Sequence, residues 1–97
     1  MSNKNVNVKV RWHGKKSFNL PAGKKYITVA KFSEDLDWEN GAWSIVLEFK
    51  TAPKEQGNPC NGSAHFLMPN APWERLKIGN KFELYEGDSL VASVEIV

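Results

Sequence analysis

Hydrophobic residues fall on every second position over most of this chain. Val6, Val8, Val10 and Trp12 alternate with Asn7, Lys9 and Arg11, the rhythm of a strand with one face in a core and the other in water. Tyr26, Thr28, Ala30 and Phe32 make one row of the next segment, with Ile27 and Val29 on the other. Two apolar rows predict a strand covered on both sides, or one that bends. Trp43, Ile45, Leu47 and Phe49 are large and apolar at alternate positions and predict the most core-facing strand of the chain. Ala64, Phe66 and Met68 alternate with His65 and Leu67 until Pro69 ends the run. Phe82 and Leu84 precede Gly87-Asp88-Ser89, and Leu90, Ala92, Val94 and Ile96 follow it. That is a closing hairpin, because glycine and aspartate accept the positive φ angles of a tight turn.

The intervening segments read as turns and loops. His13-Gly14-Lys15-Lys16 is a basic turn, and Phe18 and Leu20 predict a short strand before a proline-led turn at Pro21-Ala22-Gly23. Ser33 to Asn40 is acidic and breaks the strand rhythm, with Ser33 placed to cap one helical turn. Lys50 to Asn61, carrying Pro53, Gly57 and Pro59, has no period and predicts the longest and most mobile loop. Asn70-Ala71-Pro72-Trp73 predicts a loop or a single helical turn, after which Leu76 and Ile78 lead through Gly79-Asn80 into the hairpin. Short strands at regular spacing, with no long amphipathic helix, predict an all-β fold: an antiparallel barrel or sandwich.

Length changes little, since 97 residues suit one domain over 1–97 with enough interior for one core. Hydrophobic residues at 41% and charged residues at 25% exclude a disordered chain and a coiled coil. Thirteen basic residues against eleven acidic ones are too balanced to predict a phosphate-tracking surface from charge alone. The single cysteine, Cys60, has no internal partner and suits a reducing compartment. Met1 to Asn7 lack an apolar run of signal-peptide length, and no stretch is long and apolar enough to span a bilayer. The expectation is a cytoplasmic protein without a membrane partner. Asn61-Gly62-Ser63 matches a glycosylation acceptor and reads as a turn.

Phe66-Leu67-Met68-Pro69, then Leu76-Lys77-Ile78-Gly79-Asn80-Lys81-Phe82-Glu83-Leu84-Tyr85-Glu86-Gly87, then Val91-Ala92-Ser93-Val94-Glu95-Ile96 resemble the C-terminal β-barrel domain of elongation factor Tu and related translation GTPases. The likeness covers about a third of the chain. It implies a six-stranded, Greek-key-like antiparallel barrel used for binding. The family carries glycine in the closing strand where this chain has Ser93 or Glu95, and its GTPase domain has no counterpart here. Gly14-Lys15-Lys16-Ser17 is not a phosphate-binding loop, with Lys9 where the first glycine would fall. A nucleotide is therefore not expected.

Candidate chemistry is sparse. Cys60, His65 and His13 are the only soft metal ligands and nucleophile–base candidates, and they lack the closely spaced pairs of a zinc site. A Cys60–His65 dyad would need an orienting third group and an oxyanion site that the sequence does not supply. Asp35, Asp37 and Glu39 are spaced like calcium ligands, but Gly41 falls one place late and the twelfth position is Val46. No metal, no cofactor and no enzymatic activity are expected. Trp12 and Trp43 read as core residues. Trp38 and Trp73 lie in polar or turn-like segments, where an aromatic ring either closes the barrel's end as a lid or serves as a contact surface.

These readings predict a small non-enzymatic binding module of regulatory or immunity type, acting through protein contacts at Asp35, Asp37, Trp38, Glu39 and Trp73. The alternative is an RNA-binding barrel that uses Arg11, Lys15, Lys16, Lys24 and Lys25, with Trp12 or Tyr26 stacking on bases.

Overall fold

The computed structural model describes residues 5–35 and 42–97. The alternating segments form strands β1 (Val6–Trp12), β2 (Lys25–Phe32), β3 (Trp43–Glu48), β4 (Cys60–Phe66), β5 (Lys81–Glu86) and β6 (Ser89–Ile96). They close into a barrel in the order β1-β4-β3-β2-β5-β6, every neighbouring pair antiparallel. β2, β3 and β4 pair in succession and β1 returns beside β4, which is a Greek key. Closure leaves no sheet edge among these strands.

Two connections join strands that are not neighbours, and each crosses one end of the barrel. Residues 13–24 run from β1 to β2 and contain the helical turn α1 (Lys15–Phe18), while residues 67–80 run from β4 to β5 and contain a 3-10 turn, Trp73–Arg75. The remaining strands are joined by hairpin connections, the one from β3 to β4 carrying a second helical turn, α2 (Pro53–Gln56). Among the described residues no helix is long and apolar enough to cross a membrane.

Inward rows follow the sequence alternation. Val8, Val10 and Trp12, Ala30 and Phe32, Ile45 and Leu47, Ala64 and Phe66, Phe82 and Leu84, and Val94 and Ile96 are all buried, joined by Phe49, Cys60 and Leu76. Trp12 is in the core as expected, and half-buried Trp43 packs against it. Among the described residues no buried side-chain nitrogen or oxygen lacks a hydrogen-bond partner, so the interior carries no uncompensated polar group.

Four local expectations are corrected. Phe18 does not lie on a strand. It ends α1 and is 92% exposed, because Gly14 turns the chain at φ 57° before a strand can restart. The segment from Lys50 to Asn61 is not a free loop: Ala52 and Pro53 are buried, α2 follows, and Cys60 already belongs to β4. Gln56 holds the segment's ends together, its amide bonding Thr51 O at 2.6 Å, Asn61 O at 2.9 Å and Asn61 N–H at 2.8 Å. The outer row of β2 is not covered, since Ile27 is exposed. Finally, Leu90 does not share the inner row of Ala92. The register slips between Leu84 and Tyr85, a bulge that turns Leu90 outward and lets Val91 and Ala92 both be buried.

Candidate functional site

Of the expected protein-contact residues, Asp35 and Trp73 lie at one end of the barrel, where β2 ends and β3 begins. The two are linked through Arg75, which shares the 3-10 turn with Trp73 and pairs with Asp35. Asp35 is not free for a partner. Its Oδ1 accepts from Arg75 Nη1 at 2.8 Å and its Oδ2 from the Phe32 N–H at 2.8 Å. With 7% of the side chain exposed, the carboxylate is a strut that ties the end of β2 to the crossing connection. The Arg75 guanidinium also lies 5.6 Å over the Phe32 ring, a cation–π contact on the core's own aromatic. Asp37, Trp38 and Glu39 lie outside the described residues.

Trp73 is 41% exposed and does not act as a lid, because Leu76 and Ala71 from the same connection supply the buried side chains there. Leu67 and Met68, at the start of that connection, are exposed as well. Trp43, Pro69, Pro72 and Trp73 line a groove of about 500 Å³. Asn70, Glu74 and Arg75 line it too, and a proline-stiffened surface of such mixed polarity suits a protein contact, since rigid aromatics give area at small entropic cost.

The basic residues gather at the opposite end, but less freely than the sequence implies. Lys15 and Lys16 sit on α1 and Lys24 and Lys25 at the start of β2, while Arg11 is on the outer wall of β1. Lys16 Nζ is 3.0 Å from Glu86 Oε2 and 5.5 Å from the centre of the Tyr26 ring. The Tyr26 hydroxyl donates to the same carboxylate. Burial and this acceptor push the Tyr26 hydroxyl well above the usual phenol range, and the Tyr26 and Lys16 bonds pull the Glu86 carboxyl down against a burial effect that raises it. Of the aromatics assigned to base stacking, one is buried and the other, Tyr26, is half-buried with its hydroxyl held by Glu86. Trp12 is 1% exposed, and the Tyr26 ring meets it edge-on at 5.3 Å.

Trp12 closes this end. Its backbone N–H donates to Asn58 Oδ1 at 2.9 Å and its carbonyl accepts from Asn58 Nδ2 at 3.1 Å, so a side-chain amide takes the place of a strand partner. Its indole N–H points to Cys60 Sγ at 3.4 Å. Burial pushes the Cys60 thiol up, which makes it a poor thiolate source. His65 faces Glu48 at 3.8 Å and is remote from this cluster, so Cys60, His65 and His13 do not converge.

One arrangement escaped the sequence reading. On the outer wall, Arg11 of β1 stands opposite Ser93 of β6, Ser93 opposite Glu83 of β5, and Glu83 opposite Lys31 of β2. The next row runs Lys9, Glu95, Lys81. Long side chains on both sides of the short Ser93 leave a groove of about 460 Å³. His13, one residue beyond β1, places Nε2 at 2.7 Å from Ser93 Oγ. Nothing in the spacing of His13 and Ser93 could have signalled this; only the β1–β6 pairing, which joins the chain's first strand to its last, brings them together. Comparison of the chain with protein-family models, with curated proteins and with solved structures finds no match.

Proposed function

We propose that the chain is a small binding module that acts through protein contacts, using the apolar surface formed by Leu67, Met68 and Trp73 at the Asp35 end of the barrel. The observation that carries the reading is that, among the described residues, four of the eight exposed large apolar side chains, Leu67, Met68, Trp73 and Ile78, come from this one connection, beside the Trp43 groove. The resemblance of residues 66–96 to a translation-factor barrel supports it, because it implies a binding role. A regulatory or immunity-type role, in which the module covers a partner's working surface, fits a small rigid barrel with a proline-stiffened contact edge. The RNA alternative is weaker, because Lys16 is engaged by Glu86 and, of the aromatics meant to stack on bases, Trp12 is buried and Tyr26 half-buried.

The test is photo-crosslinking in the native cell. A benzophenone amino acid at position 73 gives one discrete protein adduct that Met68→Asp abolishes, and the same group at position 18, on the opposite end, does not give it. No adduct from position 73, or the same adduct from both positions, sinks the reading.

A further inference from the structure

Ser93 and His13 lie 80 residues apart in sequence and 2.7 Å apart in space. A serine hydroxyl becomes a nucleophile when an imidazole can take its proton as the new bond forms. The geometry meets the first requirement, a base within hydrogen-bond reach on rigid elements. Ser93 is held in β6, and the His13 N–H donates to Val91 O of the same strand at 2.8 Å, so base and nucleophile share one backbone frame. Ser93, but not His13, lines the outer groove of about 460 Å³, which leaves room for a small substrate at the nucleophile.

The charges around Ser93 select the substrate class. Arg11 is its direct cross-strand neighbour, with Lys9 in the next outward row, and the groove is lined by Lys9, Arg11, Lys31 and Lys81 against Glu83 and Glu95. Cross-strand side chains start about 5 Å apart, so the Arg11 guanidinium reaches an oxygen attached to the atom that Ser93 attacks. A cation so placed stabilises the negative charge that builds on a carbonyl oxygen during attack. Among the described residues, Lys9, Arg11 and Lys81 alone outnumber Glu83 and Glu95 in the lining, which favours a substrate that carries a second negative group.

We propose that Ser93 is a nucleophile with His13 as its general base, in a groove that takes small esters whose acyl part bears a carboxylate. With the ring proton on Nδ1, Ser93 Oγ–H donates to Nε2. Oγ attacks the ester carbonyl carbon while Nε2 takes the proton. The tetrahedral adduct collapses by breaking the bond to the alcohol oxygen, which leaves with the proton from Nε2. Water then adds to the acyl carbon, giving a proton to Nε2, and the bond to Oγ breaks as that proton returns to Oγ. The sum is ester plus water going to acid plus alcohol. This site is on the barrel wall and does not depend on the protein-contact reading.

The experiment treats the full chain with 4-nitrophenyl acetate and with the 4-nitrophenyl monoester of succinic acid, followed by nitrophenol release and peptide mapping. The acyl group is expected on Ser93 at least about tenfold faster than on Ser63 or Ser89, and His13→Gln slows it by about 100-fold, the usual contribution of a general base. Ser93→Ala removes the adduct, and Lys77→Ala, outside the groove, leaves the rate unchanged. The succinate ester reacts faster than the acetate, and Arg11→Gln removes that preference. If His13→Gln fails to fold, carbethoxylation of His13 in the native chain must stop acylation of Ser93. Acylation of Ser93 no faster than of other serines, or undiminished when folded His13→Gln or the carbethoxylated protein is used, overturns the proposal. Equal rates with the two esters overturn the anionic substrate class.

Discussion

The two ends of this barrel face the same problem and solve it with different chemistry. Each must be crossed by a connection between strands that are not neighbours, and each must keep water from the core. At the β1 end the crossing connection contributes little burial, and the strand itself supplies the plug. Trp12 is buried, clamped by Asn58 and backed by Cys60, Tyr26 and Phe49. At the Asp35 end the connection brings its own buried residues, Ala71 and Leu76, and is tied down by the Asp35–Arg75 ion pair. The first solution turns Trp12 inward and leaves one large apolar side chain of its connection, Phe18, in water. The second leaves four, Leu67, Met68, Trp73 and Ile78, and this difference is why the proposed contact surface is placed at that end.

Substitutions can break the comparison at either end. Trp12→Ala is expected to have the largest effect, costing about 4 kcal/mol for a fully buried aromatic, read as a fall in the midpoint of chemical unfolding. Gly62→Ala follows at about 2 kcal/mol of overpacking. A Cβ at Gly62 would lie 2.6 Å from the Glu48 carbonyl oxygen and 2.6 Å from the Phe49 ring, and Phe49 packs on Trp12 with ring centres 6.5 Å apart. Arg75→Ala leaves the Asp35 carboxylate with little solvent and only the Phe32 N–H, and is expected to cost about 2 kcal/mol. An unfolding midpoint indistinguishable from that of the parent chain would remove the strut from the account.

Smaller effects sharpen it. The Glu86 carboxyl is held below its ordinary value of 4.5, so its contribution is present above that pH and is lost as pH falls through the depressed value. Melting temperatures of the parent chain and Glu86→Gln therefore differ at neutral pH and converge in acid. A constant gap at all pH values would show that the lost contact, not the charge, accounts for it. Trp73→Ala is expected to change stability by no more than about 0.5 kcal/mol, as for an exposed residue, while weakening binding of the purified crosslinked partner in a calorimetric titration.

How much of this was legible in the sequence depends on the range of the interaction. Strand alternation placed Val8, Val10, Trp12, Ile45, Leu47, Phe82 and Leu84 inside, because a period of two needs only near neighbours. The same rule misassigned Leu90, since a bulge inserts one residue and reverses the rhythm without any local sign beyond the nearby turn. Cys60 was read as part of a mobile loop because prolines and glycines mask a strand start, yet Asn58 and Gln56 anchor that segment through side-chain bonds that no periodicity reveals. The acidic character of Asp35 was visible, but its commitment to Arg75, 40 residues away, was not. His13–Ser93 was invisible for the same reason: barrel closure decides it, and closure pairs the two ends of the chain.

The central claim is a division of labour, with one end of the barrel built for closure and the other for contact. Fluorine NMR of the chain labelled with 5-fluorotryptophan tests it most directly, with resonances assigned by Trp→Phe variants and the crosslinked partner added in purified form. The account predicts that the Trp73 signal shifts and broadens on binding while the Trp12 signal stays in place. Movement of Trp12 with Trp73 unchanged would contradict it.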